Sequence, residues 1–166
     1  MFPSRASYGH ETLITGLSGP RSATSTRNNT RILSCSADNT LRQWKIEANT
    51  QMVYRGRRDA LSMECCAMVS ASAFLVGDMA GSLRLFAADK KKPVFTLPQA
   101  HGSDAGAGKW LVSVASLPFT NLAASGSFDD AVRLWDVNAQ NRERDGELLK
   151  AVATVPLVGL RGLCEV

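Results

Sequence analysis

Two sets of histidine, serine and aspartate residues recur along the sequence, and by residue type each set could carry out acyl hydrolysis with a serine nucleophile and a histidine base. In each set a tryptophan follows the histidine by 34 residues. The first set is His10, Ser34 (or Ser36), Asp38 and Trp44, and the second is His101, Ser125 (or Ser127), Asp129 and Trp135. A single active site would not recur at the same spacing. The recurrence therefore favours a structural role over hydrolysis by His101 and Ser125.

Three short segments repeat the pattern that must position these residues. Each begins with a tight turn, continues as a strand of alternating polar and apolar residues, and ends at an aromatic with an arginine two residues before it. The segments are 38–44, 80–86 and 128–136, and the aromatics are Trp44, Phe86 and Trp135. These aromatics lie 42 and 49 residues apart. Short strands repeated at this period and closed by Trp-Asp are typical of β-propeller blades.

The alternation predicts an all-β chain with about three four-stranded antiparallel blades and one strand of a further blade. The blade units are about 8–55, 56–98 and 99–155, with the start of another at 157–166. The predicted strands are 11–17, 31–36, 40–47, 50–55, 61–69, 73–77, 82–87, 93–97, 110–117, 122–126, 131–137 and 147–155, and 102–108 is predicted to be a small flexible loop. Because three blades cannot close a ring of the usual four to eight or so, we expect an open ring and a piece of a longer chain. Closure by oligomerisation and an incomplete chain are the alternatives.

Composition restricts the classes of protein to which this chain could belong. The chain is 45% apolar and 20% charged, which is typical of a globular protein, and its net charge of +4 permits an anionic partner such as RNA. Its start has no signal-peptide core, and no apolar run is long enough to span a membrane, so we expect an intracellular protein without membrane contact. The cysteines (Cys35, Cys65, Cys66 and Cys164) fall in apolar runs without C-x-x-C spacing. They are expected to be buried reduced thiols, and no metal or cofactor is predicted.

Two clusters of basic residues are the candidates for binding. One cluster falls between the first two units and the other in a turn of the second unit. The residues are Arg55, Arg57 and Arg58 in the first cluster and Lys90, Lys91 and Lys92 in the second. Both could be solvated loops, or they could neutralise the phosphates of an RNA backbone. Since no aromatics alternate with them, RNA binding is expected to depend on charge and shape rather than on stacked bases.

Repeat proteins of this kind resemble one another in a buried polar network, in which the histidine, serine, aspartate and tryptophan of each unit hydrogen-bond together. The likeness assigns that role to the two sets above. The second unit departs from the pattern, with Arg57, Ala80 and Phe86 in place of the histidine, aspartate and tryptophan. Asp78 is a partial substitute. We therefore expect a second blade that is less polar and less firmly held.

A more specific likeness comes from less regular residues. The order is Lys-Lys-Lys-Pro at 90–93, Ala-His-Gly at 100–102 and Pro-Leu-Val-Gly at 156–159. With the strands between them, this order resembles the WD-repeat family of the U3 small nucleolar ribonucleoprotein over most of residues 31–163. The resemblance implies a propeller that binds U3 snoRNA and processome proteins in the nucleolus during pre-ribosomal RNA processing, without catalysis or a small-molecule substrate. It also implies further blades in a longer parent chain.

The alternative is a generic WD-repeat platform for protein partners, for example a ubiquitin-ligase substrate adaptor. Such an adaptor is expected to carry an arginine two residues after Trp-Asp, and Asn138 stands there instead. The ribonucleoprotein interpretation is therefore preferred.

Overall fold

The computed structural model describes residues 9–19, 31–56, 62–104, 106–117, 120–138 and 148–157. Within these ranges each of three four-stranded sheets is built from four strands in chain order. The first sheet contains β1 (Ile14–Ser18), β2 (Arg31–Ser36), β3 (Thr40–Lys45) and β4 (Thr50–Arg55). The second contains β5 (Met63–Ser70), β6 (Ala73–Asp78), β7 (Leu83–Ala87) and β8 (Phe95–Leu97).

A short hairpin of β9 (Ser103–Asp104) and β10 (Ala107–Gly108) then leads into the third sheet. That sheet contains β11 (Leu111–Ser116), β12 (Leu122–Ser127), β13 (Ala131–Val137) and β14 (Leu149–Pro156). All neighbouring strands pair antiparallel, so the all-β prediction of three four-stranded sheets in an open ring is confirmed. In the part of the chain that the structure describes, no helix has the length and hydrophobicity to cross a membrane.

Strand alternation gives the second sheet two buried faces. Cys66 and Val76 point into a core shared with the first sheet, while their neighbours Cys65 and Leu75 point into a core shared with the third. The first of these cores contains Leu33, Cys35, Leu41, Tyr54, Met63, Cys66, Phe74, Val76 and Phe86. The second contains Cys65, Ala73, Leu75, Leu83, Leu85, Ala100, Leu111, Ala123, Trp135, Val137 and Leu149. All of β6 and β7 is buried as a result.

Two predicted segments differ from the structure by more than one or two residues at an end. The first strand begins at Ile14 rather than at residue 11, because the amide of Glu11 donates to the Asp38 carboxylate at 3.0 Å and does not join a ladder. The loop predicted at 102–108 contains the β9–β10 hairpin. This hairpin packs on the turn at Gly81, where an added Cβ would lie 2.7 Å from the carbonyl oxygen of Lys109. Gly81 also has a φ of 80°, so a side chain is excluded on both counts.

The predicted fourth unit lies outside the described residues except for Leu157, whose amide donates to the carbonyl of Asp130 at 2.7 Å. Cys164 lies outside them as well. Cys35, Cys65 and Cys66 are free, buried thiols, as the sequence predicts.

Candidate functional site

A chain of hydrogen bonds joins the turn before β1 to strands β2 and β3 in the first sheet. The indole Nε1 of Trp44 donates to Ser34 Oγ at 2.8 Å, and His10 Nε2 lies 2.7 Å from the same oxygen. His10 Nδ1 lies 3.0 Å from Asp38 Oδ2. Because an indole N–H can only donate, the serine hydroxyl is left to donate to His10 Nε2, and His10 Nδ1–H then donates to the carboxylate. Each of these four side chains therefore has a hydrogen-bond partner.

Asp38 makes the most hydrogen bonds of these four side chains. Its Oδ1 accepts from the hydroxyl and the amide of Thr40 at 2.6 and 2.9 Å, and its Oδ2 accepts from the Glu11 amide at 3.0 Å. Burial by itself would raise the pKa of Asp38, but the hydrogen bonds from Thr40, Glu11 and His10 outweigh it and hold the pKa below its ordinary value. The carboxylate therefore pins the β2–β3 turn in its charged form.

The third sheet contains the same arrangement. Trp135 Nε1 donates to Ser125 Oγ at 2.7 Å, His101 Nε2 lies 2.7 Å from that oxygen, and His101 Nδ1 lies 2.9 Å from both oxygens of Asp129. In both sheets the bonded serine is the earlier of the two candidates. The later ones bond elsewhere: Ser36 Oγ accepts from the Asp38 amide, and Ser127 Oγ donates to the carbonyl of Trp110.

The second sheet replaces this arrangement with an ion pair. Arg84 Nε donates to Asp78 Oδ2 at 2.7 Å, with 1% and 0% of the two side chains exposed. Asp78 Oδ1 accepts from the amide of Ser82 at 2.8 Å, the bond that Asp38 makes to Thr40 and Asp129 makes to Ala131. The expectation of a less polar, less firmly held second blade is therefore wrong at this turn, because a buried charge pair occupies it.

The arginine before each terminal aromatic has a different partner in each sheet, which sequence analysis missed. Arg42 donates to Gln51 Oε1 at 2.8 Å, whereas Arg133 donates to the carbonyl of Ala100 at 2.7 Å and lies 3.5 Å from Asp129. The only sign of these contacts in the sequence was that an arginine recurs two residues before each terminal aromatic. The partners could not be identified from the sequence, since they come from another strand, a turn and a connection between sheets.

Arg55 of the first basic cluster meets the second cluster at the boundary between the first and second sheets. The amide of Arg55, at the end of β4, donates to the carbonyl of Lys91 at 3.0 Å. Beside this bond is an open cleft of about 1110 Å³, which we call the basic cleft. It is lined by Asp38, Asn39, Thr40, Arg55, Gly56, Lys92, Pro93, Val94, Phe95 and Thr96. The side chains of Arg55 and of residues 90–92 are exposed, and Arg57 and Arg58 lie outside the described residues.

The repeat family described as "WD domain, G-beta repeat" matches residues 3–45 and 91–136. This chain belongs to the WD40 family. The matched ranges contain both His–Ser–Asp–Trp sets and leave out most of the second sheet, where the ion pair replaces the set.

Among known WD40 proteins, the chain is similar to those of the U3 ribonucleoprotein. It is 34% identical over 139 residues to "U3 snoRNP-associated protein-like EMB2271" of Arabidopsis thaliana, covering 78% of this chain and 28% of that protein. It is 32% identical over 114 residues to "U3 small nucleolar RNA-interacting protein 2" of Homo sapiens, covering 66% and 22%. The chain thus spans only about a quarter of these curated relatives.

A solved structure of U3-55K superposes with a TM-score of 0.64 at 25% identity, covering 91% of this chain and 56% of that one. The resemblance to the U3 ribonucleoprotein WD-repeat family is therefore confirmed.

Within the WD40 repeats, the His101–Ser125–Asp129 set has triad-like distances but not the setting of a nucleophile. Ser125 Oγ already accepts from the indole of Trp135, and the serine and His101 are each 2% exposed. The same set recurs in the first sheet. This chemistry suits a buried structural pin better than a site that must admit substrate.

Among the described residues, no three side chains of His, Cys, Asp or Glu lie close enough together to hold a metal ion. Burial raises the pKa of Cys65 to about 12. The hydrogen bond between Cys35 and Cys66 lowers the pKa of Cys35 and raises that of Cys66. These thiols pack between sheets as small apolar groups.

Proposed function

We propose that this chain is part of a non-catalytic WD-repeat scaffold of the U3 small nucleolar ribonucleoprotein. It binds U3 snoRNA and processome proteins in the nucleolus and serves pre-ribosomal RNA processing. The names of the relatives, "U3 snoRNP-associated" and "U3 small nucleolar RNA-interacting", support this class of partner. As both are much longer than this chain, their other parts are expected to share in the function.

The observation that carries the RNA assignment is the basic cleft. Arg55 ends β4 of the first sheet, residues 90–92 precede β8 of the second, and packing of the two sheets joins the backbones of Arg55 and Lys91 by a hydrogen bond. Within the described ranges these four cations have no ion pair. Convergent cations attract a phosphate backbone and release its counterions. In this proposal Arg57 and Arg58, which follow Arg55 in sequence, extend the same surface.

The test is the salt dependence of binding to transcribed U3 snoRNA, measured by filter binding with a length-matched control RNA. The double variant Arg55→Gln/Lys92→Gln removes two cations that line the cleft. It should weaken binding and reduce the slope of log K against log salt by about 1.4–1.8, since each phosphate contact contributes roughly 0.7–0.9. The control is Lys45→Gln/Lys150→Gln, which removes two exposed cations from the ends of β3 and β14.

The control pair should leave the slope nearly unchanged. Equal slope changes for the two pairs would assign the cleft residues to ordinary solvated loops. Equal affinity of the unaltered chain for U3 snoRNA and the control RNA would refute the U3 assignment but leave charge-based RNA binding in place.

A further inference from the structure

Two aromatic side chains that are 18 residues apart in the sequence meet on the exposed surface of the third sheet. The ring centroids of Trp110 and Phe128 are 5.8 Å apart, and the ring planes are inclined by 55°. Trp110 is 37% exposed and Phe128 70% exposed. We call these two residues the aromatic pair. Sequence analysis missed it because Trp110 precedes β11 whereas Phe128 lies in the β12–β13 turn.

The backbone around the pair is fixed. Ser127 Oγ donates to the carbonyl of Trp110 at 2.7 Å, which holds the start of β11 against the turn that carries Phe128. Asp129, the next residue, is tied to His101 at 2.9 Å. The two rings are therefore presented on an anchored turn, so little conformational entropy is lost when a flat ligand stacks on them.

The pair lies at an edge that corresponds to the edge of the basic cleft. In the first sheet, register pairs Thr40 with Arg55, so the β2–β3 turn and the end of β4 share one edge. In the third sheet, register pairs Ala131 with Pro156, and Phe128 occupies the equivalent turn. The chain carries a net charge of +4, and the basic cleft supplies the phosphate contacts. Exposed flat π faces on a positively charged protein are a combination that binds unpaired nucleotides.

We propose that the aromatic pair is a stacking platform for an unpaired base of the RNA, so that recognition combines phosphate contacts at the basic cleft with base stacking at Phe128. This inference rests on the proposed RNA binding. It replaces the expectation, drawn from the absence of aromatics within the basic clusters, that binding depends on charge and shape alone. The exposed Asp130 beside the pair opposes phosphate, which makes it a useful probe.

The experiment compares two single-stranded probes that carry the same number of phosphates, an oligoadenylate of about eight nucleotides and an abasic oligonucleotide of equal length. Fluorescence anisotropy gives the affinity of the whole chain for each. The oligoadenylate should bind more tightly than the abasic probe. Phe128→Ala should weaken oligoadenylate binding about 5- to 150-fold and leave abasic binding and the salt slope unchanged. Phe128→Tyr should retain the preference, whereas Phe128→Leu, which is apolar without a π face, should lose it.

The matched control is Leu122→Ala, which removes an exposed apolar side chain at the opposite end of β12. It should change neither affinity. Asp130→Asn tolerates the same positive φ and should tighten RNA binding, because it removes a negative charge near phosphate.

If neither probe binds, the proposed RNA binding and this inference with it are overturned. Equal affinity for the two probes, or loss of preference in Phe128→Leu and Phe128→Tyr alike, would overturn the stacking platform alone. If Asp130→Asn binds RNA as before but binds a basic peptide more weakly, the stacking platform is also overturned. The aromatic pair would then be assigned to a protein partner.

Discussion

Breaking the buried ion pair between Asp78 and Arg84 by removing one partner should cost more stability than breaking an exposed charge pair among the described residues. Neither side chain has more than 1% of its surface exposed, and their 2.7 Å contact is one of two bonds to the carboxylate, the other coming from the Ser82 amide. Asp78→Asn keeps an acceptor for that amide but removes the carboxylate charge that the buried guanidinium contacts at 2.7 Å. Removing one partner of a buried pair costs roughly 3–5 kcal/mol, because the remaining charge is uncompensated. Against a total stability of about 5–15 kcal/mol, that is a large fraction.

Urea denaturation followed by fluorescence of the buried Trp135 measures this cost. The matched control is Arg133→Met, because that arginine has 30% of its side chain exposed and lies 3.5 Å from its aspartate. It should cost about 1 kcal/mol. The double variant Asp78→Asn/Arg84→Met removes both charges and should be more stable than Asp78→Asn alone. The reasoning is refuted if Asp78→Asn costs no more than Arg133→Met, or if the double variant is the less stable one.

Three further expectations follow from the polar network and the thiols. Ser125→Ala leaves the indole of Trp135 and the imidazole of His101 without their partner, so urea denaturation should show a loss of about 1–3 kcal/mol for each buried group; unchanged stability with loss of an esterase activity would instead indicate a catalytic serine. The lowered pKa of Asp38 gives stability that is fully present above its ordinary pKa of 3.8 and is lost as pH falls through the folded-state value, and Asp38→Asn should flatten that pH dependence of the urea midpoint. Cys65, with its pKa raised to about 12, should resist iodoacetamide in the native chain and react after unfolding; modification at the rate of a free thiol would contradict its burial.

Much of the strand pattern could be predicted from alternation and turn residues. Strands β2, β4 and β13 have the predicted bounds, and most others differ by one or two residues at an end. The β9–β10 hairpin could not be predicted, because it depends on a contact between Gly108 and the turn at Gly81 in another sheet. The late start of β1 has a similar cause, since the Asp38 side chain takes the Glu11 amide away from the ladder.

The members of the polar network could be named from the likeness to other repeat proteins and from the recurring spacing, but some of their partners could not. Ser34 and Ser36 are two residues apart on one strand and share a face, so spacing could not choose between them. Register decides, because Ser34 lies opposite Arg42 and within 2.8 Å of the Trp44 indole. Asp78 was hard to assign because it stands two residues before the expected position and bonds the same turn amide from there. The basic cleft was invisible, since sheet packing alone brings Arg55 to Lys91.

The position of the ion pair has a physical reason in the order of the sheets. The first and third sheets each keep one exposed face, with side chains such as Leu17 and Val152 in solvent, and in these sheets a histidine from the preceding connection ties the turn to the strands. The second sheet is buried on both faces, so apolar contact already holds its strands. Its turn still needs a carboxylate for the amide at Ser82, and a carboxylate buried that deeply requires a compensating charge. Arg84, on the strand that follows the turn, supplies that charge.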